Sequence, residues 1–518
     1  LLKLSAEAAH ALTTSSTLNI LLESRLLLWF VIAYWILSIG IGLYASSRVH
    51  SAKDFAIAGR HLPLPIVIAT VFATWFGSET VLGIPAVFLK EGLHGVVADP
   101  FGSSLCLILV GLVFAAPLYR MNLLTIGDFY RRRFGGKAEA LTSIAIVISY
   151  LGWVGAQISA LGLVFNVLTD GMISKTTGMW MGSMTILVYV VHGGMWAVAI
   201  TDFIQMIVIM VGMLFIGFLL SDQLGGVGTV IEHARNAGKF EFWPQADLKQ
   251  MIAFFAAWIT MMLGSTPQQD VFQRVQSSKT IKIAVWGSVI GGTLYFLFAF
   301  VPMFLAYSAT LIDPNLVQSH INADPQMILP SLILQHAPLV AQVMFFGALL
   351  AAIMSCASAT LLAPSVTFTE NILKPMLIRR RGEHGMSDKQ LLATMRGVTF
   401  IFTILVTLYA VNSKASIFKM VENAYQVTLV MAFIPLVCGL FWKRATNQGA
   451  LFAIYAGLLT WLSVLIFADD PLIPAQLAGL IASALGMLIG SLIPQWIRDE
   501  LPGHPRGYLH EHASHSNR

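Results

Sequence analysis

Charge is scarce in this chain. Asp, Glu, Lys and Arg make up 11% of 518 residues, against roughly 25% in soluble domains, so a water-facing surface cannot be built around several independent cores. Cysteine is scarce too: Cys106, Cys356 and Cys438 all lie in apolar runs without paired spacing, which supports neither a disulfide framework nor a metal knuckle. No GxxxxGK[ST] loop is present to cradle a nucleotide, and neither an HExxH pair, a paired-acid arrangement nor a nucleophile motif appears. An enzyme reading therefore has no catalytic residue and no cofactor to rest on. A net charge of +5 with a pI near 9.0 is not a nucleic-acid signature here, because the basic residues cluster beside apolar runs.

What is abundant is apolar length. Hydrophobic residues reach 57% and mean hydropathy is +0.76. Runs near 25–46, 64–89, 98–120, 138–168, 177–191, 196–221, 248–266, 282–309, 327–372, 391–411, 418–442, 446–467 and 473–495 are long enough, at about 20 residues, to cross a bilayer. The expectation is an all-α integral membrane protein of about 13 transmembrane helices, with one domain over 25–495. Residues 1–24 read as an extracytoplasmic lead-in and 496–518 as a cytoplasmic tail, whose His504, His510, His512 and His515 fit a solvated segment better than a metal site. Lys and Arg divide twenty-one to nine between alternate connections, with Arg396 just inside a span. Because cytoplasmic loops hold the basic excess, the N-terminus is placed outside and the C-terminus inside. In that count Arg274, Lys279 and Lys282 form a cytoplasmic loop.

Two spans carry groups that a simple lipid-facing helix avoids. ATWFGSETVLGIP, residues 73–85, holds Glu79 with Gly77, Gly83 and Pro85; five spans later, LGSTPQQD holds Gly264 and Pro267 beside Gln268, Gln269 and Asp270. Interrupted helices at matching positions of two five-span halves point to an inverted-repeat transporter, whose unwound backbone supplies carbonyls and half-helix dipoles for ions and solute.

These segments, with GGMWAVAITDFIQ (193–205), PQQDVFQRV (267–275), AAIMSCASATLL (351–362) and GLFWKRATNQGA (439–450), together resemble the sodium:solute symporter family over about residues 25–467. The ATW and FQRV elements are most similar to its high-affinity choline transporter branch. The resemblance implies a leucine-transporter-type fold with two inverted five-helix repeats, about 64–221 and 248–442. It also implies a sodium site formed by the carbonyls of Ala73, Phe76 and Ala352 with the Ser355 hydroxyl. Cys356 stands where the family usually has Ser or Thr, and a thiol is a poor ligand for a hard cation. Ser358 replaces a common Asp, and Asp202 matches a family acid near the ion. Trp75 and Trp153 match aromatics of a cation cage, but Gln268 replaces the branch's Trp in the seventh span.

Other side chains are read on their own chemistry. Glu79, a carboxylate inside a span, is a functional candidate: it either meets an ammonium group of the solute or takes part in proton coupling. Gln157, Gln268 and Gln269 supply hydrogen bonds to a polar solute, such as an amino acid, a small carboxylate or an amine. Asp128 and Asp270 are assigned to loop margins in solvated or salt-bridged roles, and Trp258 to packing. The function expected is symport of a small organic solute driven by Na+ or H+; the alternative is a transporter-like sensor that binds solute and signals to a separate partner.

Overall fold

Backbone polar groups have no water to turn to inside hydrocarbon, so an apolar chain of this kind satisfies them within helices. The computed structural model describes residues 26–30, 32–381 and 387–497. The lead-in of 1–24 and the tail histidines lie outside the described residues.

The helices follow in order. α1 (Leu26–Ser46) precedes a short α2 (Ala52–Ile57). α3 (Leu64–Trp75) and α4 (Glu79–Glu91) are two halves of one direction, bent by 53°. Next come α5 (Leu93–Arg120), α6 (Ile126–Phe134), α7 (Gly136–Leu168), α8 (Lys175–Gln223) and α9 (Val227–Asn236). A second bent pair, α10 (Leu248–Gly264) and α11 (Gln269–Ser277), turns by 43°. α12 (Ile281–Ile312), α13 (Pro314–Ile321), α14 (Ile328–His336), α15 (Leu339–Ile378), α16 (Asp388–Asn412), α17 (Ile417–Phe441), α18 (Asn447–Phe467) and α19 (Ala475–Leu492) complete the described chain. Among the described residues ten helices are long and apolar enough to span a membrane, or up to twelve if each bent pair is one span. The long run expected over 327–372 divides at Ala337 and Pro338, where α14 ends and Pro338 caps α15.

Local chemistry sets several of these ends. Thr125 and Asp128 form a capping box at the start of α6, satisfying donors a helix leaves unpaired. Asp128 therefore belongs to a cap, and it also accepts from Asn371 Nδ2 at 3.1 Å. Within the 49 residues of α8, Gly194 takes φ 48° and ψ −143°, a conformation open almost only to glycine. A Cβ there would also lie 2.5 Å from the carbonyl oxygen of Phe55.

The bent pairs sit centrally. α3 packs against α12, α8 and α15, while α17 packs against α7 and α10. One isolated parallel bridge joins Leu62, just before α3, to Ser278, just after α11; Leu62 N donates to Ser277 O at 3.0 Å, and Lys279 N donates to Leu62 O at 2.9 Å. The two broken directions are thus tied together at one end. Large apolar side chains on the outer faces, among them Trp29, Phe218, Leu459 and Phe467, remain exposed, as a lipid-facing surface requires.

Candidate functional site

Helical hydrogen bonding in α3 stops at Trp75. Phe76 leaves the helix with ψ 73°, and the chain resumes as a wide π turn over Glu79–Gly83. Gly77 sits at the break because nothing larger fits: an added Cβ would lie 2.6 Å from Glu79 Oε2, 2.9 Å from Cys356 Sγ and 2.9 Å from Gln157 Oε1. Three side chains from three helices therefore close on one glycine.

Glu79 is 2% exposed. Trp153 Nε1 donates to its Oε1 at 3.1 Å and Gln157 Nε2 to its Oε2 at 2.6 Å, while Gln157 Oε1 accepts from the Ser78 amide at 2.9 Å. A second buried carboxylate, Asp99, lies where α5 departs from helical geometry. It accepts from Tyr295 OH at 2.5 Å and from Ser103 Oγ, and the Tyr295 hydroxyl pairs with Thr80 Oγ1 at 3.2 Å. Glu79 and Asp99 line one small cleft with Phe418, Val421 and Glu422. All the hydrogen-bond donors to these two carboxylates are neutral.

On the other side of the break lies Asp202 of α8, fully buried. Thr70 Oγ1 donates to its Oδ2 at 2.5 Å and Ser355 Oγ to its Oδ1 at 2.6 Å. Thr74 Oγ1 stands 3.5 Å from Oδ2 and accepts from Arg274 Nη2 at 2.6 Å. Arg274 links the two broken directions through this contact, and its Nη1 donates to the carbonyl oxygen of Asp270 at 3.1 Å. This corrects the loop assignment of Arg274 and Asp270, which are 2% and 0% exposed. Both belong to α11, the second half of a broken span, whose polar residues follow an apolar run just as a loop would. Among the described residues Arg274 is the one Lys or Arg side chain that is buried.

Between the breaks the aromatic rings pack on one another. Trp75 meets Trp153 edge to face with centroids 5.3 Å apart, stacks on Tyr425 at 6.2 Å, and Trp153 meets Tyr425 at 5.6 Å. Tyr150 stacks on Trp153 at 6.1 Å and donates its hydroxyl to Asp270 Oδ1 at 2.5 Å. Spacings this short leave no room for a ligand between the faces. Gln268 Nε2 reaches Ser149 Oγ at 2.9 Å and Thr428 Oγ1 at 3.3 Å. Gln269 Oε1 accepts from the amide of Ile126 at 2.8 Å, so it holds the start of α6. Trp258 stands apart, stacked on Phe255 at 6.3 Å. Above the cleft opens a vestibule of about 970 Å³, lined by Lys90, Lys175, Asp324, Lys414, Phe418 and Glu422 among others. Its wall is clasped by Lys239, whose Nζ donates to the carbonyls of Leu89 and Lys90 at 2.7 and 3.1 Å, at the C-terminal end of α4.

The model of the sodium:solute symporter family matches residues 55–457. The chain belongs to that family. Human High affinity choline transporter 1 is 26% identical over 450 residues, covering 83% of this chain and 75% of the relative. The High-affinity proline transporter PutP of Bacillus subtilis (strain 168) is 27% identical over 485 residues, covering 88% and 95%. A structure of a Na+-coupled sialic acid symporter in a substrate-bound outward-open state superposes with a TM-score of 0.76 at 20% identity, covering 90% of this chain and 97% of that one. MhsT in complex with L-phenylalanine gives a TM-score of 0.54 at 15% identity, covering 83% and 98%. These neighbours establish a leucine-transporter-type fold, and the relatives are transporters rather than enzymes.

Within this family frame, the expected residues gather in two groups. In the first, Ala73 lies in the last turn of α3 and Phe76 at its end, Ala352, Ser355 and Cys356 share α15, and Ser355 Oγ donates a hydrogen bond to Asp202 Oδ1, which leaves the hydroxyl's lone pairs free to accept. No group of three or more His, Cys, Asp or Glu residues suited to a metal ion occurs among the described residues. Trp75, Glu79, Trp153 and Gln157 form the second group: Trp153 and Gln157 bond to Glu79, and Trp75 packs on Trp153. Gln268 adjoins it through Ser149 and Tyr150's helix, whereas Gln269 gives its Oε1 to α6 and keeps its Nε2 buried without a partner. The sequence reading missed Thr70, Thr74, Asp99, Tyr295, Tyr425 and Arg274. Asp99 had a visible signal, an acid inside an apolar run; the hydroxyls had none, since Thr and Tyr are ordinary in membrane helices.

Proposed function

We propose that this chain is a secondary active transporter that couples the inward flow of Na+, with H+ as the alternative ion, to uptake of a small organic solute by alternating access. The observation that carries this reading is the pair of broken directions, held together by Arg274 on Thr74, with buried carboxylates and aromatic rings at the breaks. Unwound backbone at the centre of a membrane bundle is costly unless it binds something.

In this reading α8 counts as two spans parted at Gly194, which gives thirteen with both bent pairs, and the halves from α3 and from α10 are the inverted repeats. The vestibule faces outside, in keeping with a bundle end whose lysines lie on the basic-poor side. Carbonyls of Ala73, Phe76 and Ala352 with Ser355 hold the ion, and Asp202 balances its charge. Trp75, Glu79, Trp153, Gln157 and Gln268 surround the solute. One monovalent cation moving inward gains about 2.3 kcal/mol per 100 mV, enough for more than tenfold accumulation of a neutral solute.

The test is uptake by proteoliposomes of a panel of amino acids, carboxylates and amines, with sodium and proton gradients imposed separately. Concentrative uptake under one gradient is expected. Solute binding with no flux under either gradient would replace transport by the sensor reading.

A further inference from the structure

We propose that the solute is a small organic cation whose charged nitrogen carries N–H donors, a primary or secondary ammonium, and that Asp270 is its hydrogen-bonding partner. The inference rests on the transport reading for its context but concerns what the site binds.

Its basis is the arrangement of unfilled acceptors around the ring cluster. Asp270 is fully buried, and while its Oδ1 accepts from Tyr150 OH at 2.5 Å, its Oδ2 makes no hydrogen bond of ordinary geometry, the Trp75 indole N–H approaching the carboxyl only more distantly. Arg274, one turn later, does not serve it: Nη1 goes to the main-chain oxygen of Asp270, Nη2 goes to Thr74, Nε is unpartnered, and no ion pair joins the two side chains. The Tyr425 hydroxyl is also fully buried and without a partner. Its ring belongs to the Trp75 and Trp153 cluster, and Tyr150 connects that cluster to Asp270. An unpaired buried acceptor is expensive, and an unpaired buried carboxylate more so.

Charge selects the ligand's sign. Glu79, Asp99, Asp202 and Asp270 are buried around the breaks against one guanidinium. A solute carrying a free carboxylate would enter among four buried carboxyl groups, with Arg274 Nη1 and Nη2 already engaged. Aromatic faces attract a cation through the ring quadrupole, which would suit a quaternary ammonium equally well. Asp270 Oδ2 is what separates the two: a quaternary nitrogen has no proton to give it, an ammonium has. Both oxygens of Glu79 already hold donors, so Glu79 contributes field and Asp270 contributes the bond.

The full chain in detergent is tested by titration calorimetry against ethanolamine and its N-methyl, N,N-dimethyl and N,N,N-trimethyl derivatives, with acetate and glycolate as anions. Affinity is expected to fall at least about tenfold when the last N–H is lost, and Asp270→Asn is expected to flatten the series. Tyr425→Phe keeps the ring and weakens the N–H-bearing members selectively; melting temperatures of both unliganded variants establish that they fold. Equal or tighter binding of the trimethyl compound, retention of the N–H preference in Asp270→Asn, or binding of the anions alone overturns the assignment, as does failure of every amine to bind. Amine binding without gradient-driven uptake would leave the assignment intact and defeat the transport reading instead.

Discussion

Gly77 is the residue on which the site is tightest. Replacing it with Ala inserts a methyl among Glu79, Cys356 and Gln157; overpacking of this kind costs about 1–3 kcal/mol. Uptake by Gly77→Ala is expected to fall about tenfold or more at normal surface expression, and unchanged uptake would show that the break relaxes freely. Cys356→Ser replaces a soft ligand with a hard one, so it should lower the sodium concentration for half-maximal uptake, while Ser355→Ala raises it. No shift from either would remove both side chains from the ion's surroundings. Glu79→Gln keeps the shape but loses the charge; transport unchanged in rate, affinity and pH profile would exclude Glu79 from both solute and proton roles. Trp75, Glu79 and Ser355 stand out in the sequence as an acid or a motif in an apolar run, and the structure buries all three. Asp270 and Arg274 do not stand out: a polar stretch after an apolar run looks the same whether the chain leaves the membrane or unwinds within it, and only the packing of α11 against α3 tells the two apart.

At the scale of elements, apolar length and basic punctuation located most of the helices, because each must bury or expose a membrane-long face. The bends were legible from Gly and Pro, and the 327–372 run, too long for one span, reads as including part of a loop helix; the structure gives that piece as α14, which ends where Gln335, His336 and Pro338 interrupt the apolar residues. Gly194 shows how much one backbone conformation carries. Ala at that position must adopt φ 48° and ψ −143° and approach Phe55 O; backbone strain alone costs about 1–3 kcal/mol. A drop of several degrees in the melting temperature of Gly194→Ala is expected, and none would mean that α8 straightens without penalty. Lys239 acts on α4 from outside the broken pair. Lys239→Met removes the two bonds to Leu89 and Lys90 and is expected to raise the labelling rate of a cysteine introduced at Ala86, which lines the vestibule; an unchanged rate would make the clasp dispensable.

For the whole molecule, the quantity that the proposed function turns on is the free energy that ion movement delivers against solute accumulation. Dissipating the sodium gradient with an ionophore, at constant pH, is expected to collapse concentrative uptake to equilibration; accumulation that persists until the proton gradient is also removed would identify H+ as the ion. The packed rings between the breaks bear on how such a machine avoids waste. Trp75, Trp153 and Tyr425 fill the space between them, so if the solute binds at the breaks as proposed, it acts as a wedge that parts them. A plug of this kind limits slippage, since ions arriving alone find the passage shut. It also taxes binding: with the parted state at one part in a hundred, the measured Kd stands about a hundredfold above the intrinsic one. Weak apparent affinity in this carrier would then be the mark of a good seal rather than of a poor fit.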